Sequence, residues 1–278
     1  AIAAASLGIK KIKVTGGEPL ARKSCPQLVK MLKNIPGIEK VTLTTNGVQL
    51  DRYLDQLLDA GLDAINVSLD TVDPVLYEKI TGRDKLADVM RFIEKAESLP
   101  IPVKINAVSI DFRQLQTGGK TAGLSPQENW QQVAELAKRY PVDVRFIEMM
   151  PMCDSSGFGP EAYIPFTRVL EALPEAVPAA KDGGVAKLFH LSGALGNIGL
   201  ISPVSAHFCG ECNRIRLTAD GKVKPCLHSN AEYPLKGLDF DGMKAQLEAA
   251  ILGKPQWHGD LDVAHKSGAG RNMNQIGG

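Results

Sequence analysis

The sequence predicts an α/β fold, an incomplete (β/α)6 barrel that lacks its first strand and continues into a smaller α+β extension. Two observations carry this prediction. Short β-rich runs alternate with helical stretches over the first 150 residues, and this alternation ends where Pro, Gly and Ala become frequent. Strands separated by helices are typically parallel and joined by right-handed crossovers. A doubly wound open sheet is the alternative arrangement.

The expected elements follow one another in a regular order. Strands are predicted over 9–15, 40–45, 63–70, 102–110 and 142–150. Helices are predicted over 24–34, 50–61, 74–80, 85–98 and 126–139. Residues 1–8 resemble the last turns of a helix. We therefore expect an N-terminally truncated chain, with a sixth strand ahead of that helix.

The pattern changes after residue 150. We expect residues 1–155 to form the partial barrel and residues 156–278 to form the extension. In the extension, 196–206 is predicted to pair with 214–227, where "ADGK" favours a hairpin turn. A helix is predicted over 239–252, ahead of a Gly-rich tail.

Composition limits the function classes. The chain has 278 residues, 44% of them hydrophobic, and a formal net charge of +1. This charge gives no global field for nucleic acid or an anionic membrane, and no apolar run approaches the length of a membrane span. Five cysteines, an odd number that includes a tight C-x-x-C, favour metal or redox chemistry in a reducing compartment such as the cytoplasm.

Three cysteines, Cys209, Cys212 and Cys226, form the strongest candidate metal site. The C-x-x-C places two thiolates side by side, and the predicted hairpin brings the third thiolate close to them. A structural zinc site would need a fourth ligand, for which His207, His228 and Cys153 are candidates. An iron–sulfur cluster on three cysteines would leave one iron open to substrate. Both interpretations remain open on spacing alone.

Basic side chains recur beside these cysteines and within the predicted strands. Arg214 and Arg216 lie two residues apart, so a strand would point both to one face. The strands add further cations at Lys11, Lys13, Lys104 and Arg145. Charges on several apolar strands predict a basic cavity, since each is costly unless it is paired or faces a ligand. Such a local cavity would suit a triphosphate.

Several motifs occur together in one order: "VTGGEPL", "TLTTNG", "NVSLD", "RFIEMMPM", "GLISPVSAHFCGECNRIRLTADGKVKPCL" and the terminal "IGG". This series resembles the radical S-adenosylmethionine (SAM) superfamily, and within it the GTP cyclase of molybdenum-cofactor biosynthesis, the MoaA family. The resemblance spans essentially the whole chain. It implies the radical SAM form of the incomplete barrel and two [4Fe–4S] clusters.

The resemblance also implies roles for individual residues. The C-terminal cluster would be held by Cys209, Cys212 and Cys226. GTP would be bound by Lys13, Thr44, Lys104, Arg214 and Arg216, with Arg145 and Lys11 as secondary candidates. SAM would contact Gly17, Ser68 and Met150, and the tail residues Gly277 and Gly278 would reach back to the site.

The implied activity is conversion of GTP to (8S)-3′,8-cyclo-7,8-dihydroguanosine 5′-triphosphate. The product would pass to a cyclic pyranopterin monophosphate synthase, and a homodimer is compatible with this role. The family's SAM-cluster motif, C-x-x-x-C-x-x-C, does not occur in these residues and would lie ahead of residue 1. We therefore expect GTP binding without turnover from these residues alone.

Two alternatives are retained. One is a radical SAM enzyme with a different substrate, which a fourth protein ligand to the cluster would favour. The other is a zinc-stabilised binding module without catalytic activity. Cys25 and Cys153 are expected to be buried, inert thiols. The Gly-rich segment at 111–130 is longer than the resemblance predicts.

Overall fold

The computed structural model describes residues 1–114, 124–150, 162–180, 183–259, 267, 269–271 and 273–276. Cys153, Gly277, Gly278, the predicted boundary at residue 155 and much of the 111–130 segment lie outside these residues. In the described part of the chain, no helix combines the length and apolarity needed to cross a membrane.

The described elements follow the predicted alternation closely. The strands are β1 Lys11–Val14, β2 Lys40–Thr45, β3 Ala64–Ser68, β4 Val103–Ser109, β5 Val142–Glu148, β6 Val177–Pro178, β7 Lys187–His190, β8 Ile198–Ile201, β9 Arg216–Leu217, β10 Lys222–Lys224 and β11 Tyr233–Pro234. The helices are α1 Ile2–Ser6, α2 Cys25–Lys33, α3 Leu50–Asp59, α4 Pro74–Thr81, α5 Leu86–Glu94, α6 Pro126–Arg139, α7 Phe166–Ala172, α8 Phe240–Leu252 and α9 Met273–Ile276.

Eight of the described strands form one sheet, in the order β1-β2-β3-β4-β5-β8-β7-β6. The first five strands and β8 are parallel neighbours, whereas β7 and β6 return antiparallel. An α/β fold is therefore confirmed. A doubly wound sheet reverses its strand order at a switch point, and this sequential order has no such reversal among β1 to β5.

One predicted pairing is wrong. We expected residues 196–206 to pair with 214–227, but β8 lies between β5 and β7 in the large sheet. The hairpin 214–227 instead pairs internally, as β9 with β10, and belongs to a separate three-stranded sheet. The apolar residues of β8 are buried in the main core, and a short apolar run of this kind does not identify its partner strand.

Alternation along the strands divides the large sheet into two faces. One face is apolar and packs against helices, as with Leu43, Ile65, Ile105 and Val144 in the main core. The residues between them on the same strands point the other way. That opposite face, here called the polar face, carries Lys11, Lys13, Thr42, Thr44, Asn66, Ser68, Lys104, Asn106, Asp143 and Arg145.

A second, smaller core joins the two ends of the described chain. Ala3 of α1 packs with Val223 of the hairpin and with Leu247 and Ala250 of α8. Asp239 caps α8 by accepting a 2.9 Å hydrogen bond from the Gly242 backbone. This core packs against the three-stranded sheet of β9, β10 and β11, and in the chain β9 and β10 lie between Cys212 and Cys226.

Candidate functional site

The polar face concentrates positive charge at its β1 side. Lys11 and Lys13 occupy alternate positions of β1 and share this face. The pKa of Lys11 is lowered by burial first, and then by Lys40, Lys104, Arg145 and Arg214. Cations from three other strands of the large sheet and from the hairpin segment therefore lie close enough to Lys11 to repel it.

Lys13 is the most perturbed member of this group. Burial first, and then the neighbouring charges of Arg214, Lys11, Arg145 and Arg216, together lower its pKa from 10.5 to about 8. Its side chain is nevertheless accessible to solvent. The ammonium group is therefore within reach of a ligand that approaches from solvent. We find no carboxylate partner for Lys13 among the residues described.

Three other predicted GTP ligands lie on the same face in different surroundings. The Lys104 ammonium is paired with Asp143 at 3.2 Å, so its charge is already partly compensated. Thr44 is buried, and its hydroxyl has no hydrogen-bond partner within the described part of the chain. Arg145 packs close to Gly199, where an added Cβ would lie 3.1 Å from the Arg145 Cγ. Proximity thus supports the predicted set, and GTP contact remains a prediction.

The predicted SAM contacts follow the carboxyl ends of alternate strands. Gly17 follows β1, Ser68 ends β3 and Met150 follows β5. Parallel strands bring these ends to one edge of the sheet. Gly16 has φ of 153°, which favours glycine, and a Cβ on Gly16 or Gly17 would meet nothing within 4 Å. The loop after β1 is therefore open to a ligand that approaches its backbone.

The three site cysteines have free thiols and are half-buried. Cys209 begins a 3₁₀ turn, Cys209–Glu211, whose end is fixed by a 3.1 Å bond from the Cys212 amide to the Cys209 carbonyl. Burial and Arg214 lower the pKa of Arg216, while Cys212 and Cys226 raise it. The Arg216 guanidinium therefore lies near both thiols, on the side of the extension that faces the cations of β1.

The chemistry of the three thiols fits either kind of metal site. Thiolates are the ligands of iron–sulfur clusters, and they also bind zinc in closed sites with four ligands. Among the described residues, no three His, Cys, Asp or Glu side chains are already placed together as metal ligands.

The histidines beside the cysteines have protein neighbours of their own. His207 Nδ1 lies 3.2 Å from both the Pro203 carbonyl and His258 Nε2. His228 Nδ1 lies 3.0 Å from Ser267 Oγ, and burial lowers the pKa of His228 to about 4. Their Nδ1 atoms are thus occupied by local contacts.

Sequence reasoning missed two residues that hold the cysteine segments in place. Glu148, at the end of β5, is 1% exposed and accepts hydrogen bonds from the backbones of Phe166, Val204 and Ser205. Lys254 donates 2.9 Å hydrogen bonds to the carbonyls of Arg214 and Pro225. An acidic residue ending an apolar strand was a signal for Glu148, whereas nothing local marked Lys254.

Comparison with protein families divides the chain into two matched regions. Residues 1–117 match the family described as Radical SAM superfamily. Residues 142–258 match the family described as Molybdenum Cofactor Synthesis C, which includes the cysteines and the hairpin arginines.

Individual relatives match nearly the whole chain. A GTP 3′,8-cyclase from Alkaliphilus oremlandii is 39% identical over 283 residues, covering 99% of this chain and 84% of the relative. A GTP 3′,8-cyclase from Alkaliphilus metalliredigens is 40% identical over 276 residues, covering 98% and 82%. One from Heliobacterium modesticaldum is 39% identical over 290 residues, covering 99% and 84%. With both regions and the full-length relatives in agreement, the chain belongs to the GTP 3′,8-cyclase family of radical SAM enzymes.

Proposed function

We propose that the polar face of the sheet binds GTP and that the adjoining cysteines hold a [4Fe–4S] cluster, within a GTP 3′,8-cyclase of molybdenum-cofactor biosynthesis. The observation that carries the proposal is the crowding of cations around Lys13 in a chain whose net charge is only +1. Such a concentration of like charge is unfavourable in the absence of a polyanion. With a triphosphate bound, the same cations would stabilise the protein, because each would then lie near negative charge.

The cations would contact the triphosphate in different ways. Arg214 and Arg216 offer planar forks that suit phosphate oxygens, and Lys13 offers a point charge. Thr44 adds a hydroxyl that can donate or accept within the same face. Because these groups come from strands of the large sheet and from the hairpin, the nucleotide would fasten the extension to the sheet.

The family uses [4Fe–4S] clusters and SAM. We propose that Cys209, Cys212 and Cys226 hold one cluster, with one iron left for substrate, and that Gly17, Ser68 and Met150 contact SAM. These groups supply the radical chemistry when bound. The chain's own contribution is to orient the nucleotide between the sheet edge and the cysteine segment, and to exclude solvent from it.

The finer architectural predictions belong to the same proposal. The sequential strand order supports the incomplete (β/α)6 barrel. The division into a barrel over residues 1–155 and an extension over 156–278 stays a prediction. Strands β6, β7 and β8 of the extension continue the large sheet. Transfer of product to a cyclic pyranopterin monophosphate synthase, a homodimer and a cytoplasmic location stay predictions.

The test is anaerobic reconstitution of the full-length protein with iron and sulfide, followed by incubation with SAM, dithionite and GTP. We expect 5′-deoxyadenosine and a cyclised GTP product in equal amounts. ATP in place of GTP serves as the control and should give no cyclised nucleotide. Deoxyadenosine without a GTP-derived product would favour a radical SAM enzyme with another substrate. Bound zinc without acid-labile sulfide would favour the binding module.

A further inference from the structure

The C-terminal segment is fastened to the hairpin by one arginine. Arg271 Nε and Nη2 both donate to the carboxylate of Glu232, the latter at 2.9 Å. Nη2 also donates to Asp220 Oδ2 at 2.8 Å. Asp220 lies in the turn between β9 and β10, and Glu232 lies just before β11. The Arg271 guanidinium thus connects the C-terminal segment both to the turn between β9 and β10 and to the residue that precedes β11.

The carboxylates of Asp220 and Glu232 belong to one ion-pair network, and both have lowered pKa values. Arg271 is the largest cause that lowers the pKa of Asp220, and it lowers that of Glu232 to about 2, with Lys222 contributing. Lys222 Nζ lies 2.9 Å from Glu232. Networks of this kind hold geometry better than isolated surface pairs, which contribute little.

Other contacts seat the same segment. The Gly270 backbone donates to Asn230 Oδ1 at 3.0 Å. Ser267 Oγ lies 3.0 Å from His228 Nδ1 and accepts from the Ala269 backbone at 3.2 Å. Ala269 is 3% exposed. The segment around Arg271 therefore packs alongside the hairpin and the loop that comes after Cys226.

The far end of the tail reaches a residue of the proposed GTP site. After Arg271, the short helix α9 ends at Ile276, which is 3% exposed. The Ile276 carbonyl accepts a 3.4 Å hydrogen bond from Arg216 Nη1. Arg216 is thus held from one side by the tail, while its charge lies near Cys212 and Cys226.

We propose that Arg271 is a positioning residue for nucleotide binding, acting through α9 and the Ile276 carbonyl on the Arg216 guanidinium. This inference rests on the proposed function. When Arg271 pairs with Glu232 and Asp220, α9 stays packed and the Ile276 carbonyl holds the Arg216 guanidinium in place. When these ion pairs are lost, α9 detaches and the Arg216 side chain samples other rotamers. The affinity for GTP is then multiplied by the fraction of molecules in which the Arg216 guanidinium keeps its position.

The experiment compares GTP dissociation constants of the full-length protein and four variants. Arg271→Ala should weaken GTP binding roughly tenfold, since a tenth of the molecules would keep the tail seated. Arg271→Lys retains the positive charge but loses the planar guanidinium, so its GTP dissociation constant should lie between those of the wild type and Arg271→Ala. Arg168→Ala is the matched control, because Arg168 makes an exposed 2.7 Å pair with Glu171 on α7 and should leave affinity unchanged. Ending the chain at Arg271 should weaken binding about as much as Arg271→Ala.

Non-additivity is the decisive readout. If Arg271 acts through the tail, Arg271→Ala in the chain that ends at residue 271 should weaken GTP binding no further. Additive losses would contradict the inference and indicate a general structural role. Unaltered GTP affinity in Arg271→Ala would also overturn it.

A second measurement does not depend on nucleotide. Amide hydrogen exchange at residues 273–276 should accelerate at least tenfold in Arg271→Ala and not in Arg168→Ala. Equal protection in both variants would refute the fastening. Accelerated exchange in Arg271→Ala, together with a wild-type protein that fails to bind GTP, would retain the role of Arg271 in holding α9 and reject the proposed function instead.

Discussion

Glu18 and Thr45 join two loops at the carboxyl edge of the sheet. Glu18 Oε1 accepts a 2.7 Å hydrogen bond from Thr45 Oγ1 and one of 2.9 Å from the Leu20 backbone. Its second oxygen accepts from the Asn46 backbone at 2.7 Å. The acidic residue of the "GGEP" motif therefore holds the loop after β1 against the loop after β2. Its oxygens are occupied by protein donors.

Glu18→Gln should destabilise the protein by about 1–3 kcal/mol, because the amide nitrogen would face a donor where a carboxylate oxygen accepted. Urea unfolding monitored by circular dichroism measures the change. Glu39→Gln is the control, since Glu39 pairs with the exposed Lys10 at 2.7 Å and its substitution should change stability by less than about 1 kcal/mol. Equal effects would show that the loop connection is unimportant.

GTP affinity should fall as pH rises from about 7 to 9. The pKa of Lys13 is about 8 in the folded chain, so the ammonium loses its charge across this range. Lys13→Arg should flatten this part of the profile, because arginine stays charged. Isothermal titration calorimetry at several pH values measures it. A wild-type profile that matches that of Lys13→Arg would contradict the assignment.

The same pKa has a consequence for the ligand-free protein. The folded pKa lies below the value of 10.5 for free lysine, so between about pH 8 and 10.5 the unfolded chain binds more protons. The contribution of Lys13 therefore makes stability rise with pH in that window. Lys13→Met should remove this contribution, which the difference between the two unfolding profiles would show.

Iron and sulfide binding at the C-terminal site should depend on the hairpin cysteines. Cys212→Ala and Cys226→Ala should each lower the iron bound by the reconstituted 278-residue chain. Cys25→Ala is the control, since Cys25 is 1% exposed in the main core and burial raises the pKa of its thiol. Iron and acid-labile sulfide are assayed directly. Equal iron in Cys226→Ala and wild type would exclude the proposed site.

Glu148→Gln should loosen the turn that leads to Cys209. A buried amide has one acceptor where the carboxylate accepted from several backbone amides, so the cost should be about 1–3 kcal/mol. Hydrogen exchange should accelerate at Val204 and Ser205 more than at residues of β2. Uniform acceleration across the sheet would mean that Glu148 contributes only to global stability.

The sequence predicted the first five strands because each has an apolar face that must meet helices. It also predicted the hairpin turn at "ADGK", residues 219–222, where Gly221 has φ of 84°. It did not predict β6, β7 or α7, because Pro, Gly and Ala obscure periodicity between residues 151 and 208. The partner of β8 was mispredicted for the related reason that a short buried run carries no directional pattern.

The candidate site was predictable where several residues of one chemistry recur on one strand face. Lys11 and Lys13 are of this kind, and so are the cysteines at their close spacing. Lys254 could not be predicted, since its carbonyl partners lie 40 and 29 residues away in the chain. Glu232 and Arg271 pair across 39 residues for the same reason. Long-range partners of this kind follow from the fold and have no local pattern.

The most direct test of the account is the GTP dissociation constant of Lys13→Ala beside that of Lys10→Ala at pH 7. Both substitutions remove a lysine from the same segment, Lys10 just before β1 and Lys13 within it, but Lys10 pairs with Glu39 at the surface. Loss of a charge-assisted contact should weaken GTP binding roughly tenfold to a hundredfold in Lys13→Ala. Lys10→Ala should bind as wild type does. Equal affinities of Lys13→Ala and wild type would contradict the claim that the polar face holds the nucleotide.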